Sequence, residues 1–504
     1  MFAITKSSLQ STATSCLSKT PILVRQLGTH AQATRKEGDI SSVFMSLSGV
    51  TPEPLPQRFA DIKRQLIQGN EGAVATSWKR LLEQLAVENE IVKQRGPDII
   101  PQIQFKDLQN PSQEFITDIK KRGVAVIRGV VPENEARGYK NEVEEYVKLN
   151  PWTKAFPSND PQVFELYWSP PQVRARAHPN LLSAQTSLMN IWHSTNKNAL
   201  ISTSQPLAYA DRVRIRKPGD SQFALGPHVD GGSVERWEPN GYGLGGVYDK
   251  IWQGRWEEFD PWESGSRVPV VSDNYQGSGS CSMFRMFQGW LGLSHTAPNE
   301  GTLMVNPLLQ LATAYFLLRP FFEPVNPFGS GRKEYLQAGN WKLKVGEEIS
   351  TALHGASPGH GQELNDALHP HLDLSSSMVH VPKITPGDYV VWHCDTIHAV
   401  DKTHAGKGDS SVMYIPVCPT TEANAEYLAR QRDTFLEGYP GPDFPGGKGE
   451  SEHAGRPGAD VVAQNGGDQA LRSMGLSKLR KMDWEKGTDA EKVIQKANQV
   501  LGFA

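Results

Sequence analysis

The chain has 504 residues and a formal net charge of −3, from 52 basic and 55 acidic side chains. The near balance of charge offers no global attraction to nucleic acid or to an anionic membrane. Frequent Gly and well-represented aromatic residues describe a folded, loop-rich protein with strands rather than a disordered one, long enough for one large domain with extensions.

The first 36 residues differ from the rest. They carry Lys6, Lys19, Arg25, Arg35 and Lys36, many Ser and Thr, and no acid before Glu37. Such a leader fits a mitochondrial transit peptide or a disordered tail. The four cysteines, Cys16, Cys281, Cys394 and Cys418, form no C-x-x-C pair and read as reduced thiols of an intracellular protein, mitochondrial if the leader is a transit peptide and cytoplasmic otherwise. The most apolar stretch, Val305 to Leu318, is too short and too interrupted to span a bilayer.

Residues 37–110 predict an N-terminal helical layer. Phe59, Ile62 and Leu66, then Trp78, Leu81, Leu82 and Leu85, recur at helical spacing, with Gly69 to Gly72 between two helices. A short strand before Phe105, a helix over Ser112 to Lys121 ended by Gly123, a strand from Val124, and helices over Glu133 to Lys148 and Arg174 to Trp192 follow. Strands dominate afterwards: Ala210 to Lys217, Cys281 to Leu293, Gly301 to Asn306, Met378 to Val381, Asp388 to Trp392 and Ser411 to Val417. Residues 231–279 and 326–372 read as insertions within a domain spanning 111–437, and 438–504 as a loop with short helices around Asp468 to Met474 and Asp489 to Leu501. Helices first and strands later predict an α+β protein with a mainly β core: a double-stranded β-helix, the jelly-roll or cupin-like barrel, wrapped by N- and C-terminal helices.

A non-haem iron site needs two imidazoles and one carboxylate on one face of the metal. His-x-Asp at a strand end puts both side chains on one side, because strand side chains alternate. The pattern occurs three times, at His228–Asp230, His371–Asp373 and His393–Asp395; about one match is expected by chance, so context decides. His228 follows a strand and a Pro218-Gly219 turn and precedes Gly231 and Gly232, which leave room for close backbone approach. His371 lies in a Pro-broken stretch, and His393 points into strand packing. The run Pro386 to His398 is a turn, a strand and a histidine at a strand edge, which makes His398 the distal ligand. His228, Asp230 and His398 are therefore the expected metal ligands and catalytic centre.

Three segments carry a resemblance: Lys217-Pro218-Gly219 ahead of Gly226 to Asp230, Gln288 to Leu303, and Pro386 to His398. In order and spacing they resemble the phytanoyl-CoA dioxygenase-like branch of the 2-oxoglutarate oxygenases, and more narrowly a fungal and bacterial group known as a domain of unknown function. The resemblance implies Fe(II), 2-oxoglutarate as co-substrate and O2. It also implies oxidative decarboxylation of 2-oxoglutarate coupled to hydroxylation of a C–H bond in a small-molecule substrate.

One part of the pattern is missing. Relatives supply an Arg about ten residues after the distal His for the co-substrate's far carboxylate, whose burial needs a cation; here Ala399 to Pro416 offers only Lys402, His404 and Lys407. Lys217, Arg285, Gln288 and Lys407 are the remaining candidates for contacts to the co-substrate. Arg212, Arg214 and Arg216 share one strand face, which reads as solvent-exposed unless some of them reach an acidic ligand. The departure keeps two alternatives open: a cupin-like metalloprotein with isomerase or lyase chemistry, and a non-catalytic barrel that binds an organic acid. Trp237, Trp252, Trp256 and Trp262 are expected to pin the first insertion to the barrel, and His354, His360, His369 and His371 to be exposed.

Overall fold

Local chemistry sets the helices at the positions the pattern indicates. Arg58–Ile67 and Glu71–Arg95 form the N-terminal pair, and Phe59, Trp78, Leu81 and Leu85 of these helices are fully buried. Ser112 accepts a hydrogen bond from the Phe115 amide (3.2 Å) to cap Gln113–Arg122, and Gly123 closes that helix at φ 69. In this computed structural model the described residues are 40–48, 53–221, 225–277 and 281–503. The leader therefore lies outside the described residues, as does Cys16; Cys281, Cys394 and Cys418 are free thiols. From residue 40 onward the described chain belongs to one compact unit.

The strands are β1 Gln102–Gln104, β2 Val124–Arg128, β3 Ala155–Phe156, β4 Val163–Phe164, β5 Ser202–Leu207, β6 Val213–Arg216, β7 His228–Val229, β8 Phe287–Gly292 and β9 Leu303–Val305. They continue with β10 Phe322–Pro324, β11 Trp341–Leu343, β12 Gln362–Glu363, β13 Val379–His380, β14 Tyr389–His393, β15 His398–Val400, β16 Ser410–Tyr414 and β17 Cys418–Thr420. An eight-stranded sheet runs β1-β2-β14-β8-β16-β6-β4-β3, and a five-stranded sheet runs β12-β7-β15-β9-β13. Apart from the parallel β1–β2 pair, these sheets are antiparallel. The architecture is mixed α+β with two large sheets that share no paired strand among the described residues.

Several expectations change. The helix expected over Arg174 to Trp192 is two helices, Pro170–Ala177 and Pro179–Met189, because Pro179 cannot continue the first. A helix at Glu422–Glu437 and strand β5 were not anticipated, although Thr421 caps the helix start through the Asn424 amide and Gly438 (φ 84) its end. The Val305–Leu318 stretch contains the helix Leu309–Leu318, whose residues other than Gln310 are all buried. No described helix is long and apolar enough to cross a membrane.

The arginine face of β6 is not solvent-exposed: Arg212, Arg214 and Arg216 are all buried, Arg214 and Arg216 at 0 % exposure. His369 and His371 are buried and His354 and His360 half-buried, so the expectation of exposed histidines also fails; Tyr315 Oη lies 3.0 Å from His371 Nδ1. The four tryptophans of residues 231–279 are buried, and three donate to distant carbonyls: Trp237 to Leu317 (3.2 Å), Trp256 to Ser77 (3.1 Å) and Trp262 to Lys120 (3.0 Å). None of the four lines the cavity described next.

Candidate metal centre

β7 and β15 are neighbours in the smaller sheet, and His398 stands directly opposite His228 in their register. Cross-strand partners are the closest side chains a sheet offers, and the two imidazole centroids lie 4.1 Å apart. Each ring is turned the same way by its own loop: His228 Nδ1 lies 2.7 Å from the Gly226 carbonyl, and His398 Nδ1 3.0 Å from the Thr396 carbonyl. Both Nε2 atoms are thereby left to face Asp230, at 3.7 Å from Oδ1 for His228 and 3.6 Å from Oδ2 for His398. The donor atoms of all three residues lie within 4.8 Å of one another. Two imidazole nitrogens with backbone-fixed tautomers and one carboxylate are a donor set suited to a divalent transition metal with open positions.

Electrostatics agree with that donor set. Burial, then the neighbouring His398, pulls the His228 pKa down to about 4, so its imidazole is neutral with a lone pair to give. Burial opposes ionisation of Asp230, but the adjacent His398 and His228 imidazoles and the Arg285 guanidinium outweigh it and hold the carboxyl well below the usual range.

The turn after Asp230 is shaped by Gly231 (φ 75) and Gly232 (φ 96), a backbone region that favours glycine. Arg236 donates to the Asp230 carbonyl (2.6 Å) and to Asp395 (2.9 Å), and Arg267 closes on the same Asp395 (2.5 Å). Asp395 belongs to the third His-x-Asp match. Its partner His393 stacks on Trp192 (4.6 Å) with Nε2 2.9 Å from the Pro261 carbonyl, so that pair is committed to packing.

The larger sheet supplies the facing wall. Gln288 on β8 and Trp392 on β14 are register partners. With its amide nitrogen toward the carboxylate, Gln288 donates to Asp230 Oδ2 (2.7 Å) and accepts from Trp392 Nε1 (3.3 Å). The Trp392 ring packs 5.1 Å from His398. The cavity over the three donors encloses about 760 Å³ of empty space, part of it open to solvent; its walls include Phe44, Arg212, Leu225, Arg285, Trp290 and Tyr414.

Of the other residues singled out in the sequence, Arg285 and Gln288 line this cavity, whereas Lys217 and Lys407 do not. Lys217 is exposed and pairs with Asp160 (2.9 Å), and Lys407 is exposed on its loop. Arg212 and Arg216 are paired with acids, Arg212 with Asp211 (3.2 Å) and Arg216 with Asp220 (2.6 Å). Arg214 is different: it stacks on Trp290 (4.4 Å), donates from Nη2 to the Gly301 carbonyl (3.1 Å), and leaves Nε and Nη1 without a hydrogen bond among the described residues. Burial pulls its pKa down to about 10. Phe44, which touches His228, carried no signal in the sequence.

Residues 53–476 match the Gig2-like family. The crystal structure of the GlcNAc Inducible Gene 2 product, GIG2 (DUF1479), from Candida albicans is similar at a TM-score of 0.79 and 32% identity, over 90% of this chain and 96% of that one. A proposed oxidoreductase from Salmonella typhimurium LT2 superposes at a TM-score of 0.70 with 29% identity, over 84% of this chain and 99% of that one. The uncharacterised protein YbiU of Escherichia coli K12 is 28% identical over 429 residues, 81% of this chain and 95% of that protein. With the family match spanning most of its length, this chain belongs to the Gig2-like family.

Proposed function

We propose that this protein is an Fe(II)- and 2-oxoglutarate-dependent oxygenase that hydroxylates a small-molecule substrate. The observation that carries the reading is the convergence of His228 Nε2, His398 Nε2 and an Asp230 oxygen, with both Nδ1 atoms held by backbone carbonyls. The strand orders β14-β8-β16-β6 and β7-β15-β9-β13 are those of the two halves of a double-stranded β-helix, which supports the jelly-roll reading. The designation of the Salmonella relative points the same way.

In this reading the three residues hold Fe(II), which when bound supplies the chemistry of coupling O2 reduction to co-substrate decarboxylation and C–H hydroxylation. Gln288 keeps the Asp230 carboxylate turned toward the histidines. Phe44, Trp392 and Val400 keep bulk water from the centre. Arg214 takes the role of the missing downstream arginine. It stands opposite Val412 on β16, the strand after the distal His, and its free guanidinium nitrogens suit a carboxylate.

The test is anaerobic loading with Fe(II) and 2-oxoglutarate, read by the weak visible charge-transfer band of the chelate. A band in the wild-type protein, loss of iron in His228→Ala, and a band that needs at least tenfold more 2-oxoglutarate in Arg214→Met are expected. Full iron occupancy without a band rejects the reading; stoichiometric iron in His228→Ala rejects the ligand assignment.

A further inference from the structure

Arg285 stands two residues before β8, and its guanidinium borders two separate cavities. One is the metal cavity; the other is lined by Tyr242, Ser272, Ser282, Thr421 and Asn424 among others, and the two have only Asp230 and Arg285 in common. The Arg285 side chain is 11 % exposed, yet among the described residues it donates no hydrogen bond. Its one ionic neighbour there is Asp230, at 3.9 Å, too far for a hydrogen bond. That oxygen, Asp230 Oδ2, already accepts from Gln288 (2.7 Å). Asp211, the other carboxylate on this wall, is taken by Arg212 through its amide (2.7 Å) and Nε (3.2 Å). Tyr209 offers Arg285 a ring face at 5.6 Å and spends its hydroxyl on Asp443 (2.9 Å).

A permanently charged fork of five donors that finds no protein acceptor at hydrogen-bond distance among the described residues suits an anionic partner. The geometry leaves that acceptor to come from the cavity. We infer that Arg285 anchors the carboxylate of an organic-acid substrate beside the metal centre. The acid's carbon body lies against Phe44, Leu225, Val400 and Phe444, which line the same space.

The inference rests on the oxygenase reading and adds the substrate class. Arg285 is assigned to the substrate rather than to the co-substrate's far carboxylate for a constitutional reason. When 2-oxoglutarate chelates through its keto-acid end, the second carboxylate stands two methylenes away from the metal, whereas Arg285 abuts a metal ligand. Arg214, stacked on Trp290 at 4.4 Å, is the cation left for that second carboxylate.

The experiment titrates the anaerobic Fe(II)–2-oxoglutarate protein with butyrate, acetate, butylamine and inorganic phosphate, following the wavelength shift of the retained charge-transfer band, and repeats the titrations on metal-free protein by calorimetry. Butyrate is expected to bind, more tightly than acetate or phosphate, and butylamine not at all. In Arg285→Met butyrate affinity falls at least tenfold, and by more than any loss of 2-oxoglutarate affinity read from the band; Arg285→Lys, which keeps the charge but not the fork, falls in between. Unchanged butyrate affinity in Arg285→Met, preference for phosphate, a larger loss of 2-oxoglutarate affinity than of butyrate affinity in Arg285→Met, or displacement of 2-oxoglutarate by butyrate each overturns the inference. If wild type forms no band at all, the oxygenase reading fails by itself, and the calorimetric dependence on Arg285 still decides whether the anion site exists.

Discussion

Phe44 lies edge-on against the imidazole of His228, ring centroids 4.7 Å apart and planes at 67°. The contact closes the cavity over His228, Asp230 and His398 with a segment that precedes the stretch matched to the Gig2-like family. Ile40 and Val43 line the same wall. The segment is tied down by the Gly361 amide donating to the Val43 carbonyl (3.0 Å) and by the Ser46 amide donating to Glu363 (3.0 Å). Glu363 lies on β12 and is the register partner of His228, so the strap is fastened to the strand paired with the one that carries His228.

Phe44→Ala should leave iron stoichiometry intact and open this wall to water. Removing part of one aromatic contact should speed extraction of Fe(II) by a chelator about tenfold, the rate equivalent of about 1.4 kcal/mol. Equal extraction rates in the two proteins would show that the strap does not shield the centre.

Gln288→Leu removes the donor to Asp230 and the acceptor of Trp392 Nε1 while keeping the side chain's bulk. Loss of a residue that orients a ligand weakens metal binding by roughly 10- to 100-fold. Competition against a chelator of known affinity measures this. An unchanged affinity, with a far-ultraviolet spectrum like wild type, would mean that Asp230 holds its orientation without the amide.

Asp395→Asn breaks a buried carboxylate gripped by Arg236, Arg267 and the Tyr248 hydroxyl (3.1 Å). Two fully buried guanidinium groups would lose their counter-charge, at a cost of about 3–5 kcal/mol. Denaturant midpoints should fall accordingly. Metal affinity should fall with them, because Arg236 also holds the Asp230 carbonyl. A loss under about 1 kcal/mol would show that water reaches the pair.

Lys63 predicts a pH dependence. Its ammonium is fully buried, donating to the Ala352 carbonyl (2.8 Å), and burial followed by repulsion from Lys344 pulls its pKa from 10.5 to about 7. The folded value lies below the unfolded one, so between pH 7 and 10.5 the unfolded chain holds more protons and stability rises with pH. Below pH 7 both states are charged and the full cost of burying the ammonium is felt. Lys63→Met should therefore gain about 1–3 kcal/mol at pH 6, with the gain fading toward pH 10.5. Chemical denaturation of both proteins across that range decides it; a gain independent of pH would locate the effect in packing.

Local features were legible wherever their cause is local. Ser112 and Gly123 bound their helix because capping needs only neighbouring atoms, and apolar spacing exposed the helices at Arg58–Ile67 and Glu71–Arg95. The spacing of His228 and Asp230 put both on one side of a strand end. The strand-edge position of His398 was equally readable, but its place opposite His228 is a register between distant segments. Whether a charge is buried also depends on what folds over it. That is why Arg212, Arg214 and Arg216 looked like a solvent face, and why Arg214 emerged as a cation without a carboxylate partner among the described residues only once Trp290 lay against it. Phe44 reaches the site from a stretch of chain far from the one that carries Arg285 and Gln288, and a sequence read along its length does not disclose such contacts. The sequence by itself determined the candidate donor types and the elements that carry them; tertiary structure decided which of three similar His-x-Asp pairs meets a second histidine at a cavity, because convergence is a property of packing rather than of spacing.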